Sequence, residues 1–185
     1  MSDVGVHAEG LVATITGLTI SEICADLTTF VNGRMLEDDG TVLLRYEEGA
    51  KGVLWATQVA IGDTSGLRIR VYGDGGTLSW RRSDPNRLSV FNQEGEEEIR
   101  TCPPSDVEDA TPDVLLPPGH PEVHVAPLAR LYRSFAQAVI KSIDEGKTPP
   151  PEARGFPGVR EGIRSAHFTA AAVASSTSKE KWVSV

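Results

Sequence analysis

Residues 41–80 read TVLLRYEEGAKGVLWATQVAIGDTSGLRIRVYGDGGTLSW, and this stretch decides the fold. Much of it alternates between apolar and polar residues, which is the period of a strand with one buried face. The alternation breaks at 48–49, 62–63 and 74–76, where Gly and Asp supply the backbone freedom that tight turns need. The stretch therefore predicts consecutive antiparallel strands, beginning with a hairpin of residues 41–46 and 52–60.

The flanking sequence predicts further strands and helices at both ends of the chain. The additional strands are predicted at residues 20–31, 87–91 and 97–101. Helices are predicted where apolar residues recur at three- and four-residue spacing, at residues 2–17, 127–145 and 157–176. Residues 175–185 are predicted to form a polar tail anchored by Trp182. The predicted fold class is α+β, with about seven strands in one large, mostly antiparallel sheet and about three helices on one of its faces.

The second face of such a sheet needs its own explanation, because helices at the two chain ends can cover only one face. Depending on the phase of the strands, it carries Leu54, Ala56 and Gln58, or Arg68, Arg70 and Tyr72. We expect this mixed face to meet a second copy of the chain, although antiparallel sheets also tolerate a solvated face.

The inward side of the last helix is predicted to consist of Val159, Ile163, Ala166, Ala170 and Val173.

Length and composition narrow the class of protein. The 185 residues suit one domain spanning residues 1–185, and the formal net charge of −8 argues against a nucleic-acid partner. No apolar run approaches the roughly 18 residues needed to span a bilayer, so no membrane partner is predicted. The two cysteines are expected to be reduced, which favours the cytoplasm. No spacing of Cys and His is typical of a metal site, and none is predicted.

Histidines carry most of the candidate chemistry. Asp3 precedes His7 by four residues, so the two share a face of the first predicted helix. A carboxylate there can fix the imidazole tautomer and help it take a proton from a hydroxyl, although the same spacing is common in ordinary surface pairs. Gln58, near a strand end, is a candidate substrate contact or an ordinary strand amide. His120 and His124 precede the second helix and are candidate substrate contacts or plain loop residues.

Two other segments invite a functional interpretation that their context does not support. The glycine-rich run at residues 73–76 lies between two predicted strands and opens no helix. It therefore predicts a hairpin turn and not a dinucleotide-binding fingerprint. The run of Ser and Thr at residues 175–178 is predicted to be a frayed helix end and not a nucleophile site.

Several segments, in the same order along the chain, resemble the C-terminal domain of the Gfo/Idh/MocA oxidoreductases, the glucose–fructose oxidoreductase and inositol dehydrogenase family. They are residues 3–8 (DVGVHA), 19–31, 39–46 (DGTVLLRY), 52–55 (GVLW), 67–73 (LRIRVYG), 131–135 and 174–183. The resemblance implies an α/β domain whose large sheet commonly forms the oligomer interface, joined in full-length members to a nucleotide-binding domain. It also implies oxidation or reduction of a sugar or cyclitol hydroxyl with NAD or NADP. The position matching His7 would serve as acid/base, and that matching Asp3 would support it and touch substrate.

The sequence also departs from that family. It contains neither the Gly-x-Gly-x-x-Gly turn that cradles a pyrophosphate nor the Glu-Lys-Pro motif with the family's catalytic lysine. Glu161 stands where members often have Asp before a Gly. We therefore expect a substrate-binding and oligomerisation domain of an NAD(P)-dependent oxidoreductase that neither binds cofactor nor turns over alone. The alternatives are a non-catalytic interaction or scaffold module, and a small-ligand binding protein that uses His7, His120 and Gln58.

Overall fold

The structure, a computed structural model, describes residues 1, 3–63, 66–101, 125–146 and 155–185. Its packing divides the chain into two compact units, Met1–Asp63 with Gly158–Val185 and Thr64–Pro157. In chain order the described elements are α1 (Val4–Thr16), β1 (Ile20–Thr28), β2 (Asp39–Tyr46), β3 (Lys51–Thr57), β4 (Arg68–Gly73), β5 (Gly76–Arg81), β6 (Arg87–Phe91), β7 (Glu97–Thr101), α2 (Val125–Glu145), α3 (Val159–Thr177) and β8 (Trp182–Ser184).

The described strands form two antiparallel sheets of four strands each, in the orders β3-β2-β1-β8 and β4-β5-β6-β7. The α+β class is confirmed, but the prediction of one large sheet of about seven strands was wrong. Two features account for the difference. β3 and β4 follow each other in sequence yet pair in different sheets, and the chain after α3 adds an eighth strand, β8.

In the first unit, local turn chemistry places β2 and β3 side by side. Gly49 has a φ of +86° and closes the predicted hairpin, with its amide donating to the Tyr46 carbonyl at 3.0 Å. The resulting register sets Val42 opposite Leu54 and Gly40 opposite Ala56.

This register decides which sheet face meets the helices. On the covered face, six buried side chains of the sheet pack against three buried side chains of α3. Those of the sheet are Ile23, Ala25, Val42, Leu44, Leu54 and Ala56, and those of α3 are Phe168, Ala171 and Ala172. Ala8 and Val12 of α1 pack against the same core, so both helices of this unit lie on one face. Leu54 and Ala56 are therefore core residues and not part of an open face. The exposed apolar side chains of the opposite face belong to Leu43, Val53 and Trp55.

The predicted inward side of α3 was also wrong. Val159 and Ile163 are 78% and 51% exposed, whereas Phe168 and Ala172 are fully buried. The ring of Phe168 is the largest fully buried side chain in the described residues, and seating it in the core turns the other apolar stripe of α3 outward.

The second unit contains β4 to β7 and α2. Gly73 and Gly76 face each other across the turn between β4 and β5, which makes residues 73–76 a hairpin turn as predicted. Arg68, Arg70 and Tyr72 of β4 are exposed, in agreement with the second of the two predicted open faces. α2 belongs to this second unit. Within the first unit, the two helices that cover the sheet are α1 and α3.

Candidate functional site

A cavity of about 350 Å³ opens in the first unit where α1 begins, beside the loop between β1 and β2 and the end of β3. Residues from these three places line it: Met1, Asp3, Val4, Arg34, Met35, Leu36, Glu37, Asp38, Ala56, Thr57 and Gln58. Its walls combine apolar side chains with a few polar groups, which is the usual composition of a small-molecule site. Two of the predicted site residues, Asp3 and Gln58, are among them.

Asp3 and Gln58 are joined directly. The Gln58 side-chain amide donates a hydrogen bond from Nε2 to Oδ2 of Asp3 at 2.6 Å. Asp3 occupies the N-cap position of α1, yet its carboxylate makes no capping hydrogen bond to the helix. An Asp at that position ordinarily accepts from a backbone N–H of the first turn. Here the carboxylate is instead held at the cavity by a side chain 55 residues away in sequence.

His7 follows Asp3 by one turn of α1 and is exposed. Its imidazole has no hydrogen-bond partner among the described residues, so the ring nitrogens are accessible to a ligand. The Asp3 carboxylate is bonded to Gln58 and not to the imidazole. His120 and His124 lie outside the described residues.

Asp38, in the loop before β2, is a buried residue that was not among the predicted site residues. Its carboxylate is 1% exposed and accepts hydrogen bonds from the backbone N–H groups of Phe30 at 2.8 Å and Val31 at 3.0 Å and from Arg34 at 3.3 Å. These donors, the Phe30 amide first, lower the pKa of Asp38. The backbone carbonyl of Asp38 accepts a hydrogen bond from the backbone N–H of Gln58 at 2.8 Å. Asp38 therefore holds both the loop between β1 and β2 and the end of β3, where Gln58 lies.

Met1 and Glu37 close another side of the cavity. The amino group of Met1 contacts a Glu37 carboxylate oxygen at 2.6 Å, and this hydrogen bond is the main cause of the lowered pKa of Glu37. The Met1 side chain is buried and lies against Gly5 and Gly40, where a Cβ would overlap it. Because neither glycine has a Cβ, both α1 and β2 can lie close to the Met1 side chain.

Glu161 is engaged in holding its own helix. Its carboxylate accepts the backbone N–H of Gly158 at 2.7 Å at the start of α3. Hydrogen bonds from its own backbone N–H and from Gly158 lower the pKa of Glu161. The carboxylate thus caps a helix, which is the usual role of an acidic residue at this position.

The described residues also bear on metal binding and on membrane spanning. Within those residues no group of three or more His, Cys, Asp or Glu side chains could hold a metal ion. None of the described helices is long and apolar enough to cross a membrane.

Comparisons with known proteins find that the chain is similar to oxidoreductases over part of their length. The family model "GFO/IDH/MocA C-terminal domain" matches residues 1–79. The uncharacterized oxidoreductase YfiI of Bacillus subtilis is 34% identical over 125 residues, a match that covers 66% of this chain and 32% of that protein.

Solved structures match the chain over nearly its whole length. An oxidoreductase from Sinorhizobium meliloti is 34% identical with a TM-score of 0.84, covering 98% of this chain and 51% of that one. An inositol dehydrogenase homolog from Azotobacter vinelandii, complexed with NADH and myo-inositol, is 27% identical with a TM-score of 0.86, covering 99% of this chain and 49% of that one. The chain therefore spans about half the length of these solved structures and a third of the curated relative.

Proposed function

Because the chain belongs to the Gfo/Idh/MocA family through its C-terminal domain, we propose that residues 1–185 are the substrate-binding and oligomerisation domain of an NAD(P)-dependent oxidoreductase. The proposed substrate is a polyol, a sugar or cyclitol, whose hydroxyl is oxidised to a ketone; in the reverse direction that ketone is reduced to the hydroxyl. The observation that carries the proposal is the Asp3–Gln58 hydrogen bond at the cavity, one helical turn before an accessible imidazole. The inositol dehydrogenase homolog with bound myo-inositol supports the choice of a polyol.

The groups around the cavity suit the recognition of neighbouring hydroxyls. An Asp carboxylate accepts hydrogen bonds only, whereas a Gln amide both donates and accepts. Together they can bind two adjacent hydroxyls of a polyol, each of which donates and accepts. His7 is proposed to take the proton of the reacting hydroxyl on oxidation and to return it on reduction, which is general acid–base catalysis.

The dinucleotide does not fit the residues described. Pyrophosphate recognition in this class of enzyme uses a glycine-rich turn that leads from a strand into a helix. The glycine-rich turn at residues 73–76 leads instead from β4 into β5. We therefore assign NAD or NADP to a separate nucleotide-binding domain, and expect this chain alone to bind neither and to be inactive.

Titration of the 185-residue chain with myo-inositol tests the polyol site. We expect NMR shifts at the Gln58 side-chain amide and the His7 ring, and loss of the His7 response in Gln58→Ala. Gln93→Ala is a matched control, because Gln93 also donates from its side chain, to the Asp74 carbonyl of the second unit. A wild-type chain without shifts at these groups would contradict the assignment, as would tight calorimetric binding of NAD or NADP to this chain alone.

The open face of the first unit's sheet is the proposed surface for a second copy of the chain. Val53 and Trp55 on that face are 70% and 51% exposed, opposite the face covered by helices. Arg45 adds a polar contact, with its guanidinium 3.8 Å from the centre of the Trp182 ring and its Nη1 3.0 Å from Glu22. An exposed apolar patch with charged neighbours can mark a protein–protein interaction site, and a self-complementary patch forms an isologous dimer.

Sedimentation equilibrium tests this surface. A dimer is expected for the wild type, and Trp55→Arg is expected to weaken it at least about 100-fold, because a charge would be buried without a partner. Tyr132→Arg places the same charge on an exposed aromatic of α2 and should leave the dimer intact. A monomeric wild type would remove the oligomer proposal. A dimer that responds to polyol in neither NMR signal would favour the scaffold alternative.

A further inference from the structure

We propose that Glu9 is a positioning residue that sets the rotation of α1, and thereby the direction in which Asp3 and His7 point. The inference rests on the proposed function in that it concerns the helix carrying both groups. It starts from a buried charge that the polyol site does not use. The Glu9 side chain is 1% exposed, and no residue of the cavity lining bonds to it.

The Glu9 carboxylate joins α1 to α3 at two points. Arg164 donates from Nε to Oε1 at 2.7 Å, and Ser165 donates from Oγ to Oε2 at 3.2 Å. Both carboxylate oxygens therefore have a donor from the neighbouring helix. A buried carboxylate with such partners is strongly directional, because any rotation of its helix leaves the charge unpaired in the interior.

α1 depends on such a device because its apolar contacts with the core, through the partly buried Ala8 and Val12, define its rotation only weakly. Its fully buried residues are Gly5 and Glu9, so no large apolar side chain of α1 is seated deep in the core. Gly5 and Gly10 also weaken the helix by roughly 1 kcal/mol each relative to alanine. The Asp3 carboxylate, which could cap the helix, is bonded to Gln58 instead.

The helical geometry links Glu9 to the candidate site. Residues two positions apart differ by about 200° around an α-helix, so a Glu9 that points into the interior turns His7 outward. Asp3 lies one turn before His7 and shares its direction. The Asp3–Gln58 bond then reports on the rotation, because it forms only when the start of α1 faces the end of β3.

The double variant Glu9→Met/Arg164→Met separates positioning from stability. The double variant removes the desolvation cost of the buried Glu9 charge together with an Arg164 side chain that is 38% exposed, so we expect an unchanged or higher urea midpoint. Positioning should nevertheless be lost, with the Gln58 side-chain amide protons exchanging roughly tenfold faster than in the wild type. The His7 response to myo-inositol should be lost with it. Glu9→Gln can accept from Arg164 with its amide oxygen and donate from its amide nitrogen to the Ser165 hydroxyl oxygen, so it should retain both signals.

Two controls make each outcome decisive. Ser165→Ala removes one of the two anchors without unpairing the charge. It should speed Gln58 exchange by roughly threefold and lower the urea midpoint modestly, because a buried carboxylate oxygen loses its donor. The variant stays folded, so it tests the proposal even if the double variant fails to fold. Glu98→Gln disrupts an exposed ion pair of the second unit and should change neither signal. Wild-type Gln58 exchange in Ser165→Ala, or in a folded double variant, would overturn the proposal. If the wild-type chain ignores myo-inositol, the polyol site fails, while Gln58 exchange still tests the role of Glu9.

Discussion

Replacing Ser175 with alanine tests how the first unit's sheet is closed at its edge. β8 pairs with β1 only from Glu22 to Cys24, so the following part of β1 has no strand neighbour on that side. Ser175, at the end of α3, occupies the gap. The Ser175 hydroxyl is fully buried. Its oxygen accepts a hydrogen bond from the Ala25 N–H at 2.8 Å, and its O–H donates one to the Lys181 carbonyl.

The expected cost follows from what each partner loses. Ala25 is 3% exposed, so in Ser175→Ala its N–H is left without an acceptor and without ready access to water. A buried donor left unsatisfied costs about 1–3 kcal/mol, and a lost hydrogen bond with a re-hydrated partner costs about 1 kcal/mol. Lys181 is exposed and can re-hydrate its carbonyl. The sum predicts a loss of about 2–4 kcal/mol in the free energy of unfolding.

Urea unfolding followed by circular dichroism measures the total, and amide hydrogen exchange at Ala25 measures the local effect. Ser176→Ala is the matched control: the Ser176 hydroxyl accepts the Leu27 amide at 3.1 Å in a partly buried position. That variant should cost about 0.5–1 kcal/mol, because water can replace the hydroxyl. A loss below about 0.5 kcal/mol in Ser175→Ala, or equal losses in the two variants, would refute the reasoning that burial makes this bond valuable.

The remaining predictions concern one acid, one tyrosine and one turn. The lowered pKa of Asp38 gives it stability that is fully present above about pH 4 and lost as the pH falls through its folded pKa; Asp38→Asn should flatten that acid limb in a stability profile. Burial, and secondarily Glu9, raises the pKa of Tyr46, so its contribution is present below about pH 10 and lost above. An alkaline absorbance titration should show one late tyrosine that Tyr46→Phe removes. Gly76 has a φ of +140° and a Cβ there would overlap the Phe91 carbonyl. Gly76→Ala should therefore cost about 3 kcal/mol or more in thermal unfolding, against less than about 1 for Gly75→Ala.

The elements that sequence predicted well are those encoded locally. The predicted helix at residues 2–17 became α1 (Val4–Thr16), and the strand predicted at residues 87–91 became β6 (Arg87–Phe91). Turn residues between alternating stretches fixed the hairpins, because glycine with positive φ and strand periodicity act over only a few residues.

The elements that sequence missed depend on distant partners. β8 is three residues long and becomes a strand because Trp182 meets Cys24, far earlier in the chain. A three-residue alternation is too short to be recognised by period. The rotation of α3 was missed for a related reason: the helix has two stripes of apolar residues, and only the core decides that Phe168 is seated inside it.

The candidate site was accessible from sequence in part. The i, i+4 spacing placed Asp3 and His7 on one face of a helix, as the structure has them. Gln58 was a candidate only because it lies near a strand end. Its bond to Asp3 depends on where β3 ends relative to α1, and no pattern in either segment expresses that distance.

Buried polar groups are the common element among the residues that sequence reasoning missed. Glu9, Asp38 and Ser175 look like solvated side chains in the sequence, yet each is almost fully buried and bridges segments that apolar packing leaves loosely defined. Asp38 fixes the loop against β3, Glu9 fixes α1 against α3, and Ser175 fixes α3 against β1. Small apolar residues can slide over one another at little cost, whereas a buried hydrogen bond is lost within a shift of about 1 Å. The proposed polyol site depends on that precision, because hydroxyls are distinguished by the fixed directions of their hydrogen-bond partners.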